Sequence, residues 1–341
     1  LKEKNNMKQL VFDLRNNGGG LLMEAVNIVN TVIPKGKKVV ETRGKLKEWD
    51  ATYTTRNEPL DTEIPVVILV NGNSASASEI VAGTLQDYDR AVIVGNQTFG
   101  KGLVQQTRPL SYNAQLKVTV AKYYIPSGRC IQKVDYSNKK NGIAEEVPDS
   151  LITAFKTLNN NRPVFDGKGI KPDVKSEPAK LSMLSSTLLR KHHIFDFATE
   201  FEQKNESIAD PKEYTISEED YASFVEFLKG KNYQYSTRSE RLLKELKEAA
   251  EKEKYFEQAQ SEYEALEKRL AQDKKDDLTT FKSEISLLLE NEIVSRYYFQ
   301  NGRIAQSLSD DPEVLLAMEI LQDKNRYEGI LAGNIKDSEK H

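Results

Sequence analysis

Apolar and polar positions follow two different rhythms along this 341-residue chain. In the first half, short apolar runs alternate with amphipathic stretches. Leu10-Val11-Phe12 is a strand run closed by Asp13 and the turn string Asn16-Asn17-Gly18-Gly19-Gly20. Leu21, Leu22, Ala25, Ile28, Val29 and Val32 then recur at helical spacing until Pro34-Lys35-Gly36 stops them. Lys38–Thr42 and Ala51–Thr55 read as paired strands, and Pro65–Val70 as a buried strand closed by Asn71-Gly72. Ser76–Tyr88 reads as a helix and Ala91–Val94 as the next strand. Strands alternating with helices of this length predict βαβ units around a largely parallel sheet. Gln115–Ile125 alternates as a half-buried strand does, and 135–175 is rich in turn residues, among them Asn138–Asn141.

Beyond about residue 176 the rhythm becomes helical throughout, with Glu and Lys on most turns. Between Arg241 and Leu270 the apolar positions step by threes, fours and sevens, which predicts a long helix packed on a partner helix with a solvated charged face. The chain therefore divides into an α/β region, 1–175, and a mostly α-helical region, 176–341. Two domains also suit this length.

Composition narrows the function classes. Forty-nine basic against 52 acidic residues give a formal charge of −3, too balanced for an electrostatic grip on nucleic acid. The longest aliphatic run, Val66–Val70, is far short of the roughly 20 residues of a spanning helix. A single cysteine, Cys130, excludes an internal disulfide framework and a Cys-rich zinc site. Leu1–Lys8 has no signal-peptide pattern, and the abrupt start suggests numbering that begins inside a longer protein.

Asn73-Ser74-Ala75-Ser76-Ala77-Ser78-Glu79 follows a buried strand and opens a helix. A hydroxyl there lies among free backbone N–H groups in the positive field of a helix N-terminus, which favours an alkoxide and an oxyanion. Ser76 with Glu79 three residues on is also a capping box, the plainer reading of the same residues. Small neighbours on both sides of Ser76 leave room for a substrate backbone.

A serine nucleophile needs a base, and the three histidines, His192, His193 and His341, all lie in the helical half. A lysine kept neutral can replace histidine. Lys101, in Thr98-Phe99-Gly100-Lys101-Gly102, is flanked by glycines and an aromatic residue rather than by charges. Gln105 stands about 5–6 Å from it if a helical turn forms there, close enough to orient the amine, but some 13 Å away on an extended strand. Gly95–Lys101 also fits the start of a phosphate-binding loop, yet Gly102 stands where that motif needs Ser or Thr, and no helical pattern follows. Backbone donors for an oxyanion are offered by Ala77 at the helix start and by the Gly18-Gly19-Gly20 turn, both at carboxyl ends of parallel strands.

Taken in order, Asp13–Gly20, Asn73–Ile80, Thr98–Gln105, Tyr124–Arg129 and Gly169–Val174 resemble five blocks of the carboxyl-terminal processing (tail-specific) serine peptidases. The resemblance covers roughly residues 9–175. It implies a ClpP/crotonase-like α/β peptidase core with Ser76 as nucleophile, Lys101 as general base, Gln105 as the residue orienting it, and Gly19, Gly20 and Ala77 as oxyanion donors. Some relatives have had an aspartate proposed as catalytic, and the matching Asp87 is eleven residues, about 16 Å of helix, from Ser76, so it reads as structural. Relatives normally carry a PDZ domain ahead of the first block, and nothing in this sequence matches one.

The resemblance further implies an exported protein of the cell envelope or periplasm that needs no metal, cofactor or nucleotide. Its implied substrates are proteins or peptides with apolar C-termini, bound by strand addition to a sheet edge. The helical region is open to self-association or to an adaptor. Two alternatives come from other classes. One is a non-catalytic protein-binding scaffold with a degenerate core. The other is a crotonase-like acyl-CoA enzyme, which wants a carboxylate near the oxyanion hole, and none lies between Gly18 and Leu22.

Overall fold

The computed structural model describes residues 6–140, 143–176, 180–273 and 276–335. They form two compact units, one of residues 1–178 together with 312–341, the other of 179–311.

The first unit is built on a four-stranded parallel sheet in the order β1 (Leu10–Asp13), β4 (Val66–Val70), β5 (Val92–Gly95) and β12 (Val174–Lys175). All five residues of β4 are buried, as a strand covered on both faces requires. Its side chains alternate between two cores. Val66, Ile68 and Val70 meet α1 (Leu22–Asn30) and α2 (Ala77–Asp87) through Val26, Val29, Ile80 and Leu85. Val67 and Leu69 meet the opposite layer. The predicted α/β core is therefore present, its central strand and helix where the apolar rhythm put them.

A second sheet is antiparallel, β3 (Ala51–Thr54), β2 (Lys38–Gly44), β7 (Gln115–Tyr124) and β6 (Leu103–Pro109), which leaves β6 at an edge. Tyr123 and Ile125 from its end join the first core. The turn-rich segment after it holds two short hairpins, β8 (Val134–Lys140) with β9 (Ile143–Glu146) and β10 (Ala154–Lys156) with β11 (Pro163–Phe165). The Asn138–Asn141 turn reading falls partly outside the described residues.

The opposite face of the parallel sheet is covered by a helix pair from the far end of the chain. In this pair α10 (Pro312–Gln322) and α11 (Lys324–Leu331) bring Val314, Ala317, Ile320, Tyr327 and Ile330 against Val67, Leu69, Val92, Val94 and Val174. Here the structure differs from a helical region running unbroken to residue 341, because residues 312–335 complete the α/β unit. The cause is the second apolar face of β4 and β5, which the first-half helices leave uncovered.

The second unit is all helical. In it α3 (Met183–Arg190), α4 (His193–Lys204), α5 (Glu218–Phe227) and α9 (Lys282–Ser307) enclose Leu188, Phe197, Phe224, Leu289 and Ile293. The stripe read as one helix over 241–270 is two, α6 (Arg238–Lys252) and α7 (Phe256–Asp273), with the short α8 (Asp277–Thr280) following. Lys254 takes a left-handed conformation (φ 63°) at the break, and the two helices meet where the Lys247 ammonium lies over the rings of Phe256 and Tyr263. No helix among the described residues is long and apolar enough to cross a membrane.

Candidate active site

The turn between β4 and α2 sets Ser76 in an unusual backbone conformation, φ 58° and ψ −118°, just before a helix whose eleven residues are all buried. A β-carbon in this region costs about 1–3 kcal/mol and persists only where the surroundings enforce it. The enforcement is visible. The Ser76 N–H donates to Glu79 Oε2 at 2.9 Å, Ala75 N–H to the Asn17 carbonyl at 3.0 Å, and Ser74 Oγ to the Leu14 carbonyl at 2.7 Å. A strained serine at a sharp strand-to-helix turn projects its hydroxyl clear of the backbone.

The glycine turn packs directly on this serine. Gly19 has φ +92°, and a β-carbon on it would lie 2.6 Å from the Ala75 carbonyl oxygen, 2.8 Å from Ala77 N and 2.9 Å from Ser76 Cβ. The Gly19 N–H donates to Asn17 Oδ1 at 2.9 Å, which fixes the turn. Gly20 N–H and Ala77 N–H have no hydrogen-bond acceptor among the described residues.

Ser76 lines a cavity of about 320 Å³ together with Gly20, Ala77, Lys101, Gln105 and Tyr123, and with an apolar wall of Leu22, Ile80 and Leu103. No carboxylate and no histidine lines it. His192 and His193 belong to the helical unit, and His341 lies outside the described residues. A second lysine that sequence reasoning did not single out, Lys117 of β7, also lines the cavity. Among the described residues no cluster of His, Cys, Asp and Glu has the arrangement of a metal site.

Lys101 sits just ahead of β6. Residues from Leu103 onward are extended rather than helical, so the 5–6 Å spacing of a helical turn to Gln105 is not adopted. Both side chains nevertheless border the same cavity, where Lys101, Leu103 and Gln105 alternate along one face of the segment. Val120 is the extra residue of a bulge opposite Val104 and Gln105, which locally re-aims this edge. Because a strand follows Lys101, the segment is not a phosphate-binding loop.

The residue that sequence reasoning undervalued is Glu79. Its carboxylate is fully buried and accepts four hydrogen bonds: Oε1 from Thr98 Oγ1 (2.5 Å) and Gly100 N–H (2.8 Å), Oε2 from Ser76 N–H and Lys101 N–H (2.9 Å each). Burial pushes its pKa up, and these four donors pull it back. The capping-box spacing was the only signal in the sequence, and it gives one of the four partners. Tyr123, also buried, makes a parallel tie: its hydroxyl bonds the Ser76 carbonyl at 3.2 Å and the Lys101 carbonyl. Burial raises its pKa well above the usual phenol value, so the hydroxyl stays protonated and can donate.

Asp87, at the other end of α2, is fully buried against Arg129 (2.9 Å) and accepts the Ser127 N–H at 2.9 Å. It does not border the Ser76 cavity.

The chain is similar to several known proteins. Residues 184–321 match a domain described as "Probable PDZ-protease, C-terminal helical domain". The carboxy-terminal-processing protease of Bartonella bacilliformis is 47% identical over 128 residues, 38% of this chain and 29% of that protein. A probable CtpA-like serine protease of Staphylococcus aureus is 37% identical over 183 residues, 53% of this chain and 30% of that protein. The chain thus spans under a third of the length of these curated relatives. A solved structure, the photosystem II D1 C-terminal processing protease, is 31% identical, covers 53% of this chain and 37% of its own, and has a TM-score of 0.38. Residues 1–148, which carry Ser76, Lys101 and the glycine turn, match peptidase family S41.

Proposed function

We propose that the protein is a serine endopeptidase that cuts protein substrates near their C-termini through an acyl-enzyme on Ser76. The Lys101 amine takes the hydroxyl proton as Ser76 attacks the scissile carbonyl. The oxyanion is received by the backbone N–H groups of Ala77 and Gly20, while the Gly19 N–H, expected from the sequence to share this role, is held by Asn17 Oδ1, and Gln105 orients the amine. The leaving amine takes the proton back from Lys101, and water then releases the acyl group by the same path. Removing one oxyanion donor typically costs about 2.7–4 kcal/mol of transition-state stabilisation.

One observation carries the reading: the strained Ser76 and the lysine that follows Gly100 border one cavity, and their backbones share the Glu79 carboxylate. Edge strand β6 borders the same cavity, so a substrate segment adds to it by main-chain hydrogen bonds, with side-chain preference set by the apolar wall of Leu22, Ile80 and Leu103. Apolar C-termini, self-association or adaptor binding through the helical unit, and residence in the cell envelope or periplasm belong to the same reading, as does its independence of metal and nucleotide.

Casein cleavage tests it. Ser76→Ala and Lys101→Ala each abolish hydrolysis on this reading, a loss of at least about a thousandfold in kcat/KM. A non-catalytic scaffold gives instead a chain whose biological activity is unchanged by Ser76→Ala.

A further inference from the structure

Arg15 lies in the Asp13–Gly20 block, and the proposed chemistry leaves its side chain without a task. Its guanidinium forks in two directions. Nε and Nη2 bond Asp13 (3.0 Å to Oδ1, 2.6 Å to Oδ2), while Nη1 reaches Glu313 Oε2 at 2.7 Å, a partner 298 residues away. Glu313 is 8% exposed, and its other oxygen accepts from Ser176 Oγ, just beyond β12. It occupies the first turn of α10, where the helix end favours an acid.

From Arg15 the backbone runs directly into the turn that packs on Ser76. Asn16 N–H donates to Asn71 Oδ1 (3.0 Å), and Asn71 and Asn73 side-chain amides donate back to Asn16 Oδ1 (3.1 and 2.9 Å). The two loops therefore move as one piece, and the side chain of Arg15 ties that piece to α10. Helix α10 itself does not depend on this tie. Val314, Ala317, Ile320 and Leu321 seat it on the sheet, and Gln9 Nε2 donates to the Leu321 carbonyl at its far end (2.6 Å).

We propose that Glu313 is a positioning residue: through Arg15 it sets the turn carrying Gly19 and Gly20 against Ser76. Glu313 follows the end of the helical unit, Asp311, by two residues in the chain. The inference rests on the reading of the glycine turn as an oxyanion site, and its test has a readout that does not.

Glu313→Gln keeps the shape and one acceptor but removes the charge. In the full chain, hydrogen exchange of the amides at 16–20 is expected to speed up about tenfold, with those of β4 unchanged. On casein, kcat falls about tenfold with KM within about twofold, as a misplaced donor predicts. Glu313→Asp restores part of both. Gln9→Ala, which loosens the same helix elsewhere, lowers Tm without altering exchange at 16–20 or kcat measured well below Tm. If Glu313→Gln folds poorly, Arg15→Lys, which keeps the charge and loses the fork, is read by the same exchange measurement. Unchanged exchange at 16–20 in Glu313→Gln, or in Arg15→Lys where that variant stands in, overturns the proposal, as does equal loosening by Gln9→Ala. Faster exchange with hydrolysis that Ser76→Ala does not reduce supports the tie and overturns the peptidase reading instead.

Discussion

Ser76 and Lys101 donate their backbone N–H groups to the same oxygen, Glu79 Oε2, each at 2.9 Å. A rigid buried carboxylate thus fixes the two chain segments that carry the hydroxyl and the amine. A neutral acceptor cannot replace it: a carboxylate offers lone pairs on both oxygens, and all four donors here point at them.

Glu79→Gln is therefore expected to disrupt the site more than its size change suggests. The amide presents NH₂ to one pair of donors, leaving buried N–H or O–H groups unpaired at about 1–3 kcal/mol each. The Ser76–Lys101 spacing loosens, and kcat drops about ten- to a hundredfold. Thermal unfolding and casein kinetics on the one variant check both effects. An unchanged kcat in a folded variant refutes the clamp.

The same carboxylate gives a pH signature. Burial raises its pKa in the folded protein, so the folded state holds the proton to higher pH than the unfolded chain, whose value is about 4.3. Stability contributed by that proton is full below about 4.3, is lost as pH rises through the raised folded value, and is constant above it. The Tm difference between wild type and Glu79→Gln should change as pH rises from about 4.3 through the raised folded value and be constant above it. A Tm difference that does not change as pH rises from about 4.3 refutes the assignment.

Much of the α/β unit is legible because local chemistry dictates it. Val66–Val70 reads as a buried strand, Asn71-Gly72 as its end, and the small residues around Ser76 as a helix start that tolerates close approach. What escaped depends on partners distant in sequence. Glu79 looks like an ordinary cap, since nothing local reveals that Thr98, Gly100 and Lys101 fold onto it. Helix α10 carries apolar residues like its neighbours in the sequence, and its destination on β4 and β5 follows only from the second apolar face of that sheet. The 241–270 stripe keeps its period across residues 253–255, so the break at Lys254 leaves no trace in the pattern.

Gly19→Ala tests the close approach of the two loops. The added carbon meets the Ala75 carbonyl at 2.6 Å and Ala77 N at 2.8 Å, backbone atoms that cannot swing away, and φ +92° is itself strained for alanine. The turn must retreat from Ser76, so hydrolysis is expected to fall at least about a hundredfold while Gly36→Ala, at a positive φ with open space around it, costs stability alone. Equal kinetics for the two variants argue against a role for this contact.

Tyr327→Phe separates stability from chemistry. The hydroxyl accepts from Val66 N–H at 3.0 Å and lies within 3.3 Å of the Val66 carbonyl, tying α11 to the central strand. Its loss strands a buried N–H, about 1–3 kcal/mol, or roughly 2–4 °C of Tm for each kcal/mol in a unit of this size. Casein kinetics well below Tm should be unaltered. A fall in kcat there shows that the sheet transmits strain to Ser76.

Two lysines border the cavity, and they can be told apart. Lys101 is fixed through its own backbone, by Glu79 at its N–H and by Tyr123 at its carbonyl, whereas Lys117 is an exposed side chain on β7 opposite Thr107. A general base needs a fixed distance to the hydroxyl, and an exposed cation serves instead to attract a carboxylate. Lys101→Ala is therefore expected to remove kcat, and Lys117→Ala to raise KM a few-fold with kcat retained, more so at low salt than at high. Steady-state kinetics on a peptide with a free C-terminus and on its C-terminal amide give the comparison. If Lys117→Ala abolishes turnover on both peptides while Lys101→Ala does not, the base has been assigned to the wrong lysine.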